Sequence, residues 1–396
     1  MAIADADIAI VGAGVMGLAL AYNLASQTRG SGGKRIVVVD GHYLAWGASG
    51  RNGGGVRQQW STEMNVRLMQ ESMDICAHFA KQMRINVWMR RGGYLFLART
   101  QAAARRLERN VAVQIRCGLG TQMIAPEEAQ ALVPELAIDR FVAACFNPTD
   151  GIVFPWPFLW GYAHAAGKLG VAIHTKTPVT AIERRGGKAG AGFRIKTPAG
   201  TFTAERVVCA AGAWSPEVAR LVGASLPNRP QRHEILSTEP LKPFLKPMVT
   251  VSETGLYVSQ SLRGELVGGI TIPEGEAADG GEVQLGSRLA FTTAMARALV
   301  ELMPRLGHVK VVRQWAGPYD VSPDGDPIVG ELPDVPGFHV VCGFRGHGFM
   351  MAPVVARHLA THLSGGATHE FLTAWTPARF ATGAPPHAGG ENMFIG

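Results

Sequence analysis

The chain has 396 residues, of which 47% are hydrophobic and 17% charged, and it carries a formal net charge of +7. That balance describes a globular protein of roughly two or three domains and excludes an intrinsically disordered chain. Basic residues stand singly or in pairs, as at Arg90-Arg91, Arg105-Arg106 and Arg184-Arg185, so the charge predicts attraction of an acidic small molecule or partner, not of nucleic acid.

No apolar run approaches the roughly 18 residues of a membrane span, and the first residues lack the basic stretch and cleavage site of a secretory signal. Five scattered cysteines, Cys76, Cys117, Cys145, Cys209 and Cys342, form no CxxC pair. They predict neither a disulfide framework nor a zinc site and suit a cytoplasmic location.

The run Ile8-Ala-Ile-Val-Gly12-Ala13-Gly14-Val15-Met16-Gly17 predicts a strand over 7–11, a tight turn and a helix through 16–25. Gly12 permits the turn, Gly14 lets the backbone approach a phosphate, and Gly17 lets helix pack on strand. Free amides at the helix start then favour an anionic pyrophosphate. After a Gly/Ser loop over 28–34, residues 35–39 read as a buried strand ending at Asp40 and Gly41. A carboxylate there accepts hydrogen bonds from ribose hydroxyls and repels a 2′-phosphate, which argues against NADP.

Residues 47–55 hold too many glycines for a helix or strand interior and read as a loop running close to a ligand. Helical periodicity covers 56–81, a strand 92–98, and a helix begins near Thr100. Ala125-Pro126-Glu-Glu opens a short helix, 157–169 forms another, and 170–174 and 178–182 read as strands. A hairpin over 194–203 leads into an apolar strand at 206–210 and a second glycine turn, Val207-Val-Cys-Ala-Ala211-Gly212-Ala-Trp214-Ser215. Alternation from 231 to 271 predicts an antiparallel sheet. A helix over 286–302 and a strand over 309–315 follow, then a third signature, Gly343-Phe-Arg345-Gly346-His347-Gly348-Phe349-Met350-Met-Ala-Pro353, and a closing helix over 350–363. The tail beyond Phe380 reads as loose.

The interrupted pattern predicts an α/β protein. A discontinuous Rossmann-like domain takes residues 1–90, 147–222 and 313–383; an antiparallel-sheet domain takes 91–146 and 223–312; a tail takes 384–396.

These three signatures together resemble the D-amino-acid oxidase superfamily of FAD proteins, in its sarcosine oxidase and glycine oxidase branch. Trp315-Ala-Gly317-Pro-Tyr319-Asp-Val-Ser-Pro323-Asp324-Gly-Asp-Pro-Ile-Val-Gly330, followed by the late Gly-His-Gly loop, is similar to β subunits of heteromeric dehydrogenases of sarcosine, proline, hydroxyproline or opines. The resemblance implies that Ala48, Ser49, Arg51, Asn52 and Gly53 wrap the flavin, that Ala211, Gly212 and Trp214 close on its adenosine side, and that Val179 meets adenine. It places Gly346 to Met350 at a helix start whose amides favour the reduced ring. A flavin-linking cysteine of some relatives falls at Gly317, which implies non-covalent FAD.

The implied reaction is hydride transfer from the carbon beside an amine to flavin N5. Arg57 matches an arginine that grips the substrate carboxylate through paired hydrogen bonds. A second anchor, a lysine in relatives, is Met350 here, and an anchoring arginine of glycine oxidases falls at Tyr319. That leaves Tyr257, Tyr319, Arg345 and His347 as polar candidates. An oxygen-activating lysine of some relatives falls near Leu266, which predicts electron delivery to a carrier or to partner α/γ subunits. A flavin-holding subunit without amine chemistry and a stand-alone oxidase using oxygen are the other readings. His42, His164, His174, His233 and His308 show no metal-ligand spacing and receive no role, while Trp156, Trp160 and the methionines of 64–89 read as core.

Overall fold

A computed structural model of the chain describes residues 3–186, 192–272, 283 and 285–380. It is mixed α/β, with two large sheets. The first has the order Ile328–Glu331, Phe338–Cys342, Gly200–Cys209, Ala6–Val11, Ile36–Val39, Ala172–His174. Its four central pairings from Phe338–Cys342 to Ala172–His174 are parallel, so these apolar strands are buried on both faces. Gly192–Thr197 and Ala181–Arg185 extend it as an antiparallel flap.

On one face, helices Val15–Thr28, Glu63–Met83, Pro155–Lys168 and Gly348–Leu363 share a single apolar core. Ser215–Arg220 covers part of the other. Thr62 and Thr100 each accept a hydrogen bond from the amide three residues on and so start Glu63–Met83 and Gln101–Arg116.

The second sheet runs Phe344–Arg345, Val311–Val321, Arg229–Pro240, Glu265–Gly269, Leu256–Gln260, Met248–Val251, Tyr94–Ala98, Ala143–Asn147, Gln122–Ile124. It is antiparallel except where Met248–Val251 meets Tyr94–Ala98 in parallel. Leu289–Leu302 packs on one face and Gln101–Arg116 on the other.

Several expectations shift. Residues 56–62 are not helical: Gly55–Val56 pairs with Gly151–Ile152, and the Thr62 cap delays the helix to Glu63. Residues 178–180 precede the strand Ala181–Arg185 instead of belonging to it. The second arm of the hairpin and the apolar strand after it are one strand, Gly200–Cys209. Val311–Val321 runs well past Trp315, carrying Gly317 and Tyr319 in register with His233 and Gln231. Trp160 is 46% exposed, so it is not core. The tail beyond Phe380 lies outside the described residues. Among the described residues no helix is long and apolar enough to cross a membrane.

Candidate active site

A cleft of about 390 Å³ runs from the first glycine turn to the start of the last long helix, within the usual size of a small-molecule site. At one end the Gly12 backbone is left-handed at φ +117°, and a Cβ there would sit 2.4 Å from the Ala210 carbonyl oxygen. A Cβ on Gly17 would lie 2.0 Å from the Gly12 carbonyl oxygen. Strand, turn and helix therefore close on one another only without those side chains, which leaves an open concave backbone at the helix start. The Val15 amide donates to Ser49 Oγ at 3.0 Å, tying the 47–55 loop across this end.

Asp40 Oδ2 accepts from the Ala13 amide at 2.7 Å, and Oδ1 from the His42 amide at 2.8 Å. Each oxygen keeps a further lone pair for hydroxyls, and burial raises the carboxyl above its ordinary range. His42 stacks on Trp46 with centroids 3.7 Å apart, and Trp214 stands 5.3 Å beyond. In the middle of the cleft, Arg51 Nε donates to the Trp46 carbonyl at 2.9 Å, while Trp315 Nε1 donates to the Arg51 carbonyl at 2.8 Å. Asn52 Oδ1 accepts from the Gly54 amide at 2.8 Å. The donor set and the glycine cradle fit a dinucleotide coenzyme.

The far end is polar and aromatic. Arg57 is buried between Trp60 and Phe96, with its guanidinium carbon 4.6 and 5.4 Å from their ring centres. Its Nη1 donates to the Gln59 carbonyl at 2.5 Å, and Nη2 lies 3.0 Å from His347 Nε2. The fork is thus already partly occupied. Burial pulls Arg57 below its ordinary value, opposed in part by the charge of Asp150. The Asp150 carboxylate accepts from Gln58 N, Gln58 Nε2, Gln59 Nε2 and Asn147 Nδ2 at 2.7 to 3.2 Å. Burial still pushes it up to about 6.

The same cleft holds a ring stack whose middle member, His233, sequence reading gave no role. His233 lies between Tyr319, parallel at 4.3 Å, and Tyr257, whose hydroxyl is 3.3 Å from His233 Nε2. Burial pulls His233 down to about 4 and lifts both phenols, so all three are neutral near pH 7. Beneath the third glycine signature, the buried Asp320 accepts from the Gly343 amide and Asn228 Nδ2, both at 2.5 Å. Burial raises its carboxyl to about 6.

Of the residues singled out from sequence, all but Ala13, Gly17 and His347 line the cleft. Ala13 and Gly17 lie behind its wall, and His347 borders a smaller adjoining space. Tyr94, Phe96, Met248, Thr250 and His233 also line it and carried no local signal. Leu266 is packed in the core behind the sheet; its neighbour Val267 faces Gly53 at the cleft. No group of three or more His, Cys, Asp or Glu among the described residues could hold a metal.

The chain is similar to known proteins along most of its length. The chain is 28% identical over 379 residues to sarcosine oxidase subunit beta of Rhodobacter capsulatus, covering 92% of this chain and 88% of that protein. It is also 28% identical over 359 residues to glycine oxidase of Geobacillus kaustophilus, covering 88% and 90%. The crystal structure of L-proline dehydrogenase from P. horikoshii superposes with a TM-score of 0.87 at 29% identity, covering 96% of this chain and 98% of that one. A family model described as DAO, FAD dependent oxidoreductase, matches residues 7–362. With that match across most of its length, the chain belongs to the DAO family of FAD-dependent oxidoreductases.

Proposed function

We propose that this enzyme oxidises the C–N bond of an amino acid or secondary amine of the sarcosine, glycine, proline, hydroxyproline or opine type. The carrying observation is the continuity of one cleft from the Gly12 turn to Arg57, Tyr257, Tyr319 and Arg345. Asp40, Ser49, Arg51, Asn52, Val179, Ala211 to Trp214 and the start of Gly348–Leu363 would hold FAD, which supplies the two-electron acceptor. Gly317, with Arg51 Cβ 3.3 Å from where its own Cβ would lie, offers no thiol, so the coenzyme is held non-covalently.

The chain's own groups orient and neutralise. Arg57 and Arg345 attract a carboxylate. The same cations, with desolvation, disfavour an ammonium beside them and so favour the neutral amine needed for hydride loss. The neutral Tyr257–His233–Tyr319 wall can position the amine by hydrogen bonding without exchanging charge. Described residues within 3–90, 147–222 and 322–380 would make up the coenzyme domain and those within 91–146 and 223–310 the substrate domain, with Val311–Val321, a strand of the second sheet, joining them. Similarity to sarcosine oxidase β subunits supports a place in a heteromer that passes electrons onward.

Purified protein should be yellow, release that colour on acid precipitation, and bleach anaerobically with one of these amines. Dye reduction without brisk peroxide formation is expected. Retained colour after precipitation would refute non-covalent binding, and a flavin that no such amine bleaches would refute the reaction.

A further inference from the structure

Beside the cleft lies a chamber of about 20 Å³, room for roughly one water. His233, Tyr319, Arg345 and Gly346 border both spaces, so the ring stack is a partition and not the end of the site. Arg232, Arg288 and Arg345 line the chamber with one acid, Glu234. That acid is spent on Arg288: Glu234 Oε2 accepts from its Nε at 2.9 Å and its Nη2 at 2.6 Å. Arg345 forms no ion pair with any described residue.

Arg345 is also backbone-strained. It sits at φ +52°, a left-handed conformation that glycine would adopt without strain, and such outliers gather where a side chain is needed. Two residues on, His347 meets Arg57 at 3.0 Å. The Gly346-His347 turn thus separates two arginines that both line the cleft, with Arg345 Nη1 next to Gly325.

We propose that the substrate carries two carboxylates, one on each side of the reacting nitrogen: an N-(carboxyalkyl) amino acid. Arg57 receives one carboxylate, and Arg345, at the mouth of the side chamber, receives the other. The assignment rests on the amine-oxidation reading above. The carbon beside nitrogen loses a hydride and the nitrogen a proton; the electron pair goes to the coenzyme. Water then adds across the C=N bond and releases a primary amine and an oxo acid.

Iminodiacetate and sarcosine test this, since they differ only by a carboxylate on the N-substituent. Wild-type holoenzyme should show at least tenfold higher kcat/KM on iminodiacetate in a dye assay. Arg345→Gln should lower that value about 10- to 100-fold, the range for a lost charge-assisted hydrogen bond, and lower the sarcosine value less than about threefold. Arg345→Lys keeps the charge and should fall between, which covers failure of the glutamine variant to hold flavin. By calorimetry, glutarate should bind wild-type holoenzyme more tightly than acetate, and Arg345→Gln should erase that difference. Wild-type preference for sarcosine, or equal losses on both substrates, would overturn the two-carboxylate assignment and leave amine oxidation standing. Flavin that neither substrate nor any other amine bleaches would overturn both.

Discussion

Asp150→Asn should change how the stability of this protein responds to pH. The Asp150 carboxyl is completely buried and raised from 3.8 to about 6. A folded-state value above the unfolded one stabilises the fold only below the unfolded value, and that contribution is lost as pH rises through the folded one. Roughly two units at 1.36 kcal/mol each give about 3 kcal/mol lost between about pH 4 and pH 7. Asparagine cannot ionise, and its Nδ2 donates where Asp150 Oδ2 accepts from Gln59 Nε2, a cost that does not vary with pH. Urea titrations of both holoproteins should therefore show the variant gaining up to about 3 kcal/mol on wild type between pH 4.5 and pH 7.5. The ionised carboxylate interacts with the Arg57 charge and holds the chain neighbours Gln58 and Gln59. The variant should accordingly bind a carboxylate substrate more weakly at pH 7.5, with KM raised about tenfold. A constant stability difference from pH 4.5 to 7.5 would refute the reasoning.

Gly17→Ala drives a methyl into the Gly12 carbonyl; FAD should bind at least tenfold more weakly in a fluorescence-quench titration of apoprotein, while the fold survives by circular dichroism. His233 is held down near 4, so its contribution is present above its unfolded value near 6.5 and lost as pH falls towards 4; His233→Asn should resist acid unfolding better than wild type by about 3 kcal/mol at pH 4. Val267→Lys places a cation at the cleft beside Gly53 and should raise peroxide production in an oxygen-electrode assay, whereas Leu266→Lys should mainly unfold the core it occupies.

The glycine turns were legible because their chemistry is local: a left-handed Gly12 followed by a helix start can be read from ten residues. Asp40 followed from the same unit. His233 was not legible, since its neighbours come from Leu256–Gln260 and Val311–Val321 and meet it only through strand register. A period-two reading would place 231, 233 and 235 on one face, and that was the available signal. Register also explains Leu266: a slip of one residue turns a strand side chain to the opposite face. Asp150 lay in an unremarked turn, and its four donors come mostly from residues nearly a hundred positions earlier. Arg57 was singled out and lines the cleft, but its setting was not legible, because the segment before it pairs with Gly151–Ile152 instead of coiling.

The strand Gly200–Cys209 has a consequence for assembly. It pairs on one flank with Ala6–Val11 and on the other with Phe338–Cys342, so its partners are synthesised at nearly opposite ends of the polypeptide. Contacts of such sequence separation slow folding. A ribosome-bound chain ending before residue 338 would carry an open, apolar strand edge at Val207–Cys209, a natural docking point for a chaperone or for another unfinished copy.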